Sequence, residues 1–206
     1  MHPILRFAKM AYVESKNLKP LLDTYTNPDD FLSRLVKAGE LIRLKNGFFL
    51  IAEKIEENPV PYEQIANLLH GPSYLSFEWA LSYYGMIPEG VYVISSACAN
   101  KSKIFKTPIG TFEYIYLSQY RYAIGIEQKE NKTGRFLIAS PEKALADLIH
   151  LKSKKIEVKD LLIDLIESRR IDEDDLKSLN LRHLLDIAEN YRSKSVMNLI
   201  NALRKL

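Results

Sequence analysis

One dipeptide, Asn46-Gly47, constrains this chain more than any other feature. It separates two apolar runs, Leu41-Ile42-Arg43-Leu44-Lys45 and Phe48-Phe49-Leu50-Ile51. In that setting the pair predicts a tight β-hairpin, because both turn residues need positive φ and these two tolerate it. Just upstream, Asn27-Pro28-Asp29-Asp30 reads as a helix start. Asn27 can cap free amides, Pro28 suits the first helical position, and two aspartates complement the positive end of the helix dipole. Phe31, Leu32, Leu35 and Val36 then recur at helical spacing, and Gly39 ends the helix.

Two more helices are expected before it. Ile4, Phe7, Ala8, Ala11 and Tyr12 are spaced as one apolar face, and Leu18 to Tyr25 suits a short second helix. Three helices followed by a hairpin is the layout of a winged helix-turn-helix, assigned here to residues 1–53. The stretch from Glu53 to Pro61 is polar and twice interrupted by proline, which suits a linker.

Beyond the linker the pattern is mixed. Helices are expected over Pro61 to His70 and over Phe77 to Tyr84, the second capped by Ser76. Strands are expected at Val91–Ala97, Lys103–Thr107, Thr111–Leu117, Tyr120–Gln128 and Arg135–Ala139, and their short connections favour antiparallel pairing. Ser140-Pro141-Glu142 opens a further helix, and four helices follow: Val158–Ser168, Glu173–Leu179, Leu181–Tyr191 and Ser195–Lys205. A soft boundary falls near Lys152–Lys155. The expected class is α+β: the winged unit, a mixed and largely antiparallel sheet domain with helices at 58–152, and an all-helical C-terminal subdomain at 153–206 packed on it.

Composition narrows the function. The net charge is only +3, both ends being slightly basic and the middle slightly acidic, so this is no polybasic protein. A single cysteine, Cys98, excludes a disulfide framework and a Cys-based zinc finger, and reads as a small buried hydrophobe. No apolar run approaches a membrane span, and the first residues carry no secretory pattern, so a cytoplasmic location and no membrane partner are expected. His2, His70, His150 and His183 are widely spaced, and no phosphate-cradling glycine loop or nucleophile elbow occurs. The acidic run Asp172 to Asp175 reads as a solvated helix start. Glu142 and Asp147 flank Lys143 and could serve catalysis, but a capped structural helix accounts for them. Neither an enzyme nor a cofactor is expected.

Nucleic acid is the better-supported partner. In a winged helix the third helix enters the major groove and the wing touches the backbone or minor groove. Arg34 and Lys37 lie off the apolar stripe of the third helix; Arg43 and Lys45 alternate away from Leu44 on the wing. These four are the candidate DNA-binding residues. Asp29 and Asp30 oppose this, since carboxylates at the helix start repel phosphate. Eight of the 12 tyrosines fall between Tyr74 and Tyr122, suiting a half-buried sheet or a partner-binding face bordered by Lys101, Lys103 and Lys106.

The segment Leu32 to Phe49 resembles the helix and wing of AbiEi-type antitoxins, transcriptional regulators of bacterial type IV toxin–antitoxin systems. The likeness continues through Gly71-Pro72-Ser73-Tyr74 to Glu89, Thr107 to Phe112, and Ala139-Ser140-Pro141-Glu142-Lys143-Ala144 to Leu148. It covers about residues 30–150. The first 30 residues depart from the pattern, with Asp29-Asp30 in place of the usual basic approach. The resemblance implies an N-terminal domain that binds operator DNA and represses its own operon. It also implies a C-terminal domain that counteracts a nucleotidyltransferase-like toxin. The alternative is a protein-interaction module whose degenerate winged helix no longer binds DNA.

Overall fold

A computed structural model describes residues 1–23, 25–88, 90–152 and 157–206. The N-terminal unit runs α1 (Pro3–Arg6), β1 (Tyr12–Glu14), α2 (Ser15–Leu18) continuing into a 3-10 turn (Lys19–Leu22), α3 (Pro28–Lys37), β2 (Leu41–Lys45) and β3 (Phe48–Ile51). The start of α3 is as its residues dictate, with the Asn27 side chain accepting from the Asp30 amide at 3.3 Å and Pro28 in the first position. The hairpin also forms, but of its two turn residues only Gly47 is left-handed, at φ +73°. A bulge between Arg43 and Lys45 takes up the difference.

The expected first helix is cut short. It ends at Arg6, and Tyr12 lies in β1, antiparallel to β3 with Tyr12 opposite Leu50. The reason is the demand of β3, whose four residues are all buried. Its backbone amides and carbonyls need partners along both edges. Strand β2 serves one edge and β1 the other, giving the order β1-β3-β2. Local periodicity loses to that non-local requirement. The second helix likewise starts earlier than expected, at Ser15.

Residues Leu5, Leu22, Phe31, Leu35, Phe49 and Ile51 build a small core of their own. Leu44, Phe48 and Leu50, from the opposite face of the same hairpin, belong to the main core. The hairpin is thus the joint between the two cores. Half of the expected linker is helical too: α4 (Ala52–Glu57) follows β3 directly.

The main body continues with α5 (Tyr62–Leu69), β4 (Ser73–Leu75), α6 (Phe77–Tyr83), β5 (Val93–Cys98), β6 (Lys103–Thr107), β7 (Gly110–Tyr116), α7 (Gln119–Tyr122), β8 (Ile126–Asn131) and β9 (Gly134–Ala139). Then come α8 (Pro141–Lys152), α9 (Val158–Ile163) with a π-helical turn (Asp164–Ser168), α10 (Glu173–Ser178), α11 (Leu181–Tyr191) and α12 (Lys194–Leu203). The class is α+β. The six-stranded sheet has the order β6-β7-β5-β4-β9-β8.

Two of its pairings, β5 with β7 and β4 with β9, are parallel, against the expectation from short connections. Phe112 and Tyr114 of β7 are buried and need a central place, whereas Lys103, Ile104 and Lys106 of β6 are exposed and suit an edge. The β6–β7 hairpin therefore inserts its second arm beside β5. Strand β4, only three residues long, lies within the stretch the sequence left as a connection. The expected strand at Tyr120–Gln128 begins only at Ile126, its first part being α7.

Strand alternation gives the sheet two covered faces. Tyr74, Ala97 and Ile115 are register partners on the face toward α8. Tyr114 is on the other face, where its hydroxyl donates to the Ala66 carbonyl of α5 at 2.6 Å. Leu184, Ile187, Tyr191, Val196 and Leu199 of α11 and α12 join this same core, so the C-terminal helices form a layer on it. The softer boundary expected near Lys152–Lys155 falls largely outside the described residues. Among the described residues no helix is long and apolar enough to cross a membrane.

Burial raises the pKa of Tyr74, Tyr114 and Tyr122, the last to about 12. In the unfolded chain these phenols ionise near pH ~10. A raised folded-state pKa means that the folded chain holds protons the unfolded chain has lost. That contribution is fully present below pH ~10 and is lost as pH rises through the folded values. Lys143 and Lys45, lowered by burial, act in the opposite sense, but burial raises Tyr12, Tyr84 and Cys98 as well, so the raised groups outnumber the lowered ones. The denaturant midpoint should therefore fall as pH rises from about 10 to about 12, with tyrosinate absorbance from these residues appearing only on unfolding. A flat midpoint over that interval would contradict the packing described.

Candidate nucleic-acid interface and buried ionic cluster

Helix α3 buries Phe31, Leu32 and Leu35, which leaves Arg34 and Lys37 exposed on its outer side. The Arg34 guanidinium lies 5.6 Å from the centre of the Phe31 ring. Arg43, exposed on β2, donates to the Ser33 hydroxyl at 3.3 Å and lies 5.5 Å from the Phe49 ring centre. Helix and hairpin are thereby bridged. Beside this bridge is a polar cleft of about 450 Å³ whose walls include Ser15, Lys19, Asp29, Ser33, Arg43 and Asn46. Among the described residues none of Arg34, Lys37 and Arg43 is in an ion pair.

The two acids at the helix start are occupied. Asp29 pairs with Lys19 at 3.3 Å, and Asp30 accepts from the Asn27 side chain at 2.7 Å. The charge of Asp29 is thus offset by Lys19.

Lys45 departs from the sequence expectation of four outward-facing cations. It is half-buried, and its ammonium donates to the Leu69 carbonyl at 2.6 Å. Leu69 is the last residue of α5, where carbonyls lack helical partners and the dipole is negative, so a cation is drawn there. Burial lowers the Lys45 pKa; Lys103 and Lys16 add to that, and Glu14 opposes it. The bulge after Arg43 permits the redirection.

A second polar group lies deep in the main core. Ser140 caps α8, accepting from the Lys143 amide at 3.2 Å. One turn apart on that helix, Lys143 and Asp147 pair at 3.0 Å with both side chains fully buried. One Asp147 oxygen accepts from the Ser76 hydroxyl at 2.6 Å and from the Tyr74 hydroxyl at 3.0 Å. The other accepts from Lys143 and from the Tyr191 hydroxyl. Lys143 completes its set with the Arg121 carbonyl and Tyr191.

Burial pushes the Lys143 ammonium down and the Asp147 carboxyl up, each opposed by the other's charge. Every donor and acceptor in the group is matched in the ionised form, which favours the charged pair against that burial. Gly125 packs on the lysine stem at φ +79°; a Cβ there would fall 2.8 Å from Lys143 Cβ and 3.1 Å from Ile187 Cδ1. This explains why α7 and its loop replace the expected strand: Arg121 and Gly125 are both drawn onto Lys143.

Several sequence expectations resolve here. Ser76 precedes α6, as foreseen, but its side chain makes no cap and reaches Asp147 instead. Glu142 and Asp147 do not share a site: Glu142 accepts from the Asn180 amide at 2.9 Å and lies 3.4 Å from His183. Asp172 caps α10 by accepting from the Asp174 amide. Cys98 is buried. Among the described residues no group of three or more His, Cys, Asp or Glu side chains is placed to hold a metal ion. Tyr74, Ser76 and Tyr191 were not foreseen as partners of Asp147. The available signal was a lysine and an aspartate at i, i+4 within the otherwise apolar run Lys143 to Ile149.

No family model matches the chain, and no curated protein matches it.

Replacing Asp147 by Asn leaves the Lys143 ammonium buried without a countercharge. Removing one partner of a buried pair costs roughly 3–5 kcal/mol, and D147N should lose stability on that scale in chemical unfolding. A loss below about 1 kcal/mol, the range of exposed pairs, would mean the pair is not buried as described.

Proposed function

We propose that this chain is a DNA-binding regulator with no enzymatic role, whose N-terminal unit is a winged helix-turn-helix. The observation that carries this is the juxtaposition of Arg34 and Lys37 on α3 with Arg43 on the adjoining strand, all exposed and without ion-pair partners among the described residues. The order α1, β1, α2, α3, β2, β3, with β1 closing the sheet beside the hairpin, supports the reading. In it, α3 enters the major groove and Arg43 reaches the flanking backbone. The resemblance of Leu32–Phe49, Gly71–Glu89 and Ala139–Leu148 extends the proposal. The protein is an antitoxin of a type IV system that represses its own operon and counteracts a nucleotidyltransferase-like toxin through the rest of the chain.

A second reading is favoured by one observation. The wing is held on both sides, by Lys45 on Leu69 and by the Ser15 amide donating to the Gly47 carbonyl at 2.9 Å. A clamped wing with a withdrawn lysine suits a protein-interaction module that no longer binds DNA.

Fluorescence anisotropy with the DNA upstream of the gene, across a salt series, separates the two. Arg34→Ala, Lys37→Ala and Arg43→Ala should each weaken binding and lower the salt slope by about 0.9. Lys45→Ala should leave the slope unchanged and lower the melting temperature. Absence of binding at low salt, or binding untouched by the three substitutions together, overturns DNA recognition. Co-purification with the product of the adjacent gene would then support the second reading.

A further inference from the structure

The cleft on the α8 side of the large sheet has no part in the proposed DNA contact. It holds about 470 Å³ between α6, β5, β7, α8 and the residues after the π-helical turn. Leu81, Ile87, Val91, Val93 and Leu148 make its apolar walls, and Glu78, Ser95, Glu113 and Arg169 its polar points. The size and make-up are those of small-molecule sites, which combine apolar walls with a few placed polar groups.

Its charges do not cancel. Arg169 is answered twice, by Asp164 at 2.9 Å and by Glu78 at 3.6 Å. Glu113 is half-buried and, among the described residues, its carboxylate has neither a hydrogen bond nor an ion pair. Its register partners are Ser95 on β5 and Ile104 on β6, so neither neighbouring strand places a cation opposite it. Of the described residues that line the cleft, Glu78 and Glu113 are acidic and Arg169 is basic, which leaves Glu113 set among aliphatic side chains without a cation beside it in register.

The backbone around the cleft is strained. Phe77, immediately before Glu78, has φ +57°, and Arg170, immediately after Arg169, has φ +55°. A left-handed conformation in residues of this size costs of order 1–3 kcal/mol each and persists where the surroundings enforce it, commonly at ligand clamps. Arg169 also follows the π-helical turn Asp164–Ser168, and such turns are frequent at functional sites. Both members of the Glu78–Arg169 pair are thus aimed by costly local geometry at one end of the cleft, while Glu113 stands on the sheet.

We propose that this cleft binds a small organic cation, an ammonium or amidinium group carried on an apolar body. The cationic head meets Glu113, Ser95 offers a neutral polar contact beside it, and the body lies on Ile87, Val91, Val93 and Leu148. The Glu78–Arg169 pair closes the far end. A divalent metal is not the fit, since the donor set is one unpaired carboxylate and one already committed to Arg169.

Isothermal titration of the full chain with hexylammonium, hexan-1-ol and hexanoate tests this, since the three share a chain and differ in head charge. Hexylammonium should bind saturably, hexan-1-ol about tenfold or more weakly, and hexanoate not at all, as expected when a charge-assisted contact is replaced or opposed. Glu113→Gln should weaken hexylammonium by about tenfold. Glu189→Gln, the same charge change on the exposed side of α11, should leave it unaltered. Circular dichroism of both variants controls for folding. Hexanoate binding as tightly as hexylammonium, equal effects of the two substitutions, or no saturable binding of any of the three would each overturn the proposal. These outcomes are independent of DNA binding.

Discussion

Everything in the main body is arranged around one buried ion pair, Lys143 with Asp147. Two charges removed from water are tolerable only when every remaining donor and acceptor is matched. Meeting that condition calls on Tyr74 and Ser76 from β4 and the start of α6, the Arg121 carbonyl from α7, and Tyr191 at the end of α11. Those groups are far apart along the chain. Satisfying the pair therefore places the short strand β4, bends the segment before β8, and seats the C-terminal helices. The hydrophobic effect would accept several arrangements of these helices; matched polar contacts accept far fewer.

The N-terminal unit depends on a different constraint, the double burial of β3. With Phe49 and Ile51 in one core and Phe48 and Leu50 in the other, the hairpin cannot swing independently. What this leaves at the surface is a helix face and one hairpin arginine, bridged through Ser33. In the proposed DNA complex the wing therefore acts as a fixed shelf, and Lys45 serves the end of α5 in place of a phosphate. The acids at the start of α3 matter equally: Lys19 offsets the charge of Asp29, while Asn27 holds the Asp30 carboxylate in place without cancelling its charge.

The cleft beside Glu113 is where the local rules are broken most visibly. Phe77 and Arg170 are left-handed although neither is glycine, and a π-helical turn interrupts the run from α9. Consistency across levels is the norm for a folded sequence, and departures concentrate where a chain does something besides fold.

Much of the fold was legible because its signals are satisfied within a few residues. Asn27 and Ser140 cap helices by reaching amides three positions on, Gly47 closes the hairpin, and the C-terminal helices follow their own apolar spacing. Arg34 and Lys37 could be placed outward for the same reason, since the apolar stripe of α3 dictates the opposite face. Tertiary structure alone decided what depends on partners distant in sequence. Tyr12 became a strand residue because β3 had a bare edge; β7 lay parallel to β5 because its aromatic side chains needed the centre of the sheet. Lys45 turned inward because the carbonyl it satisfies belongs to Leu69, and Ser76 abandoned its cap for Asp147. Local chemistry sets which elements can form; the requirement that buried polar groups find partners, wherever in the chain those are, sets how the elements meet.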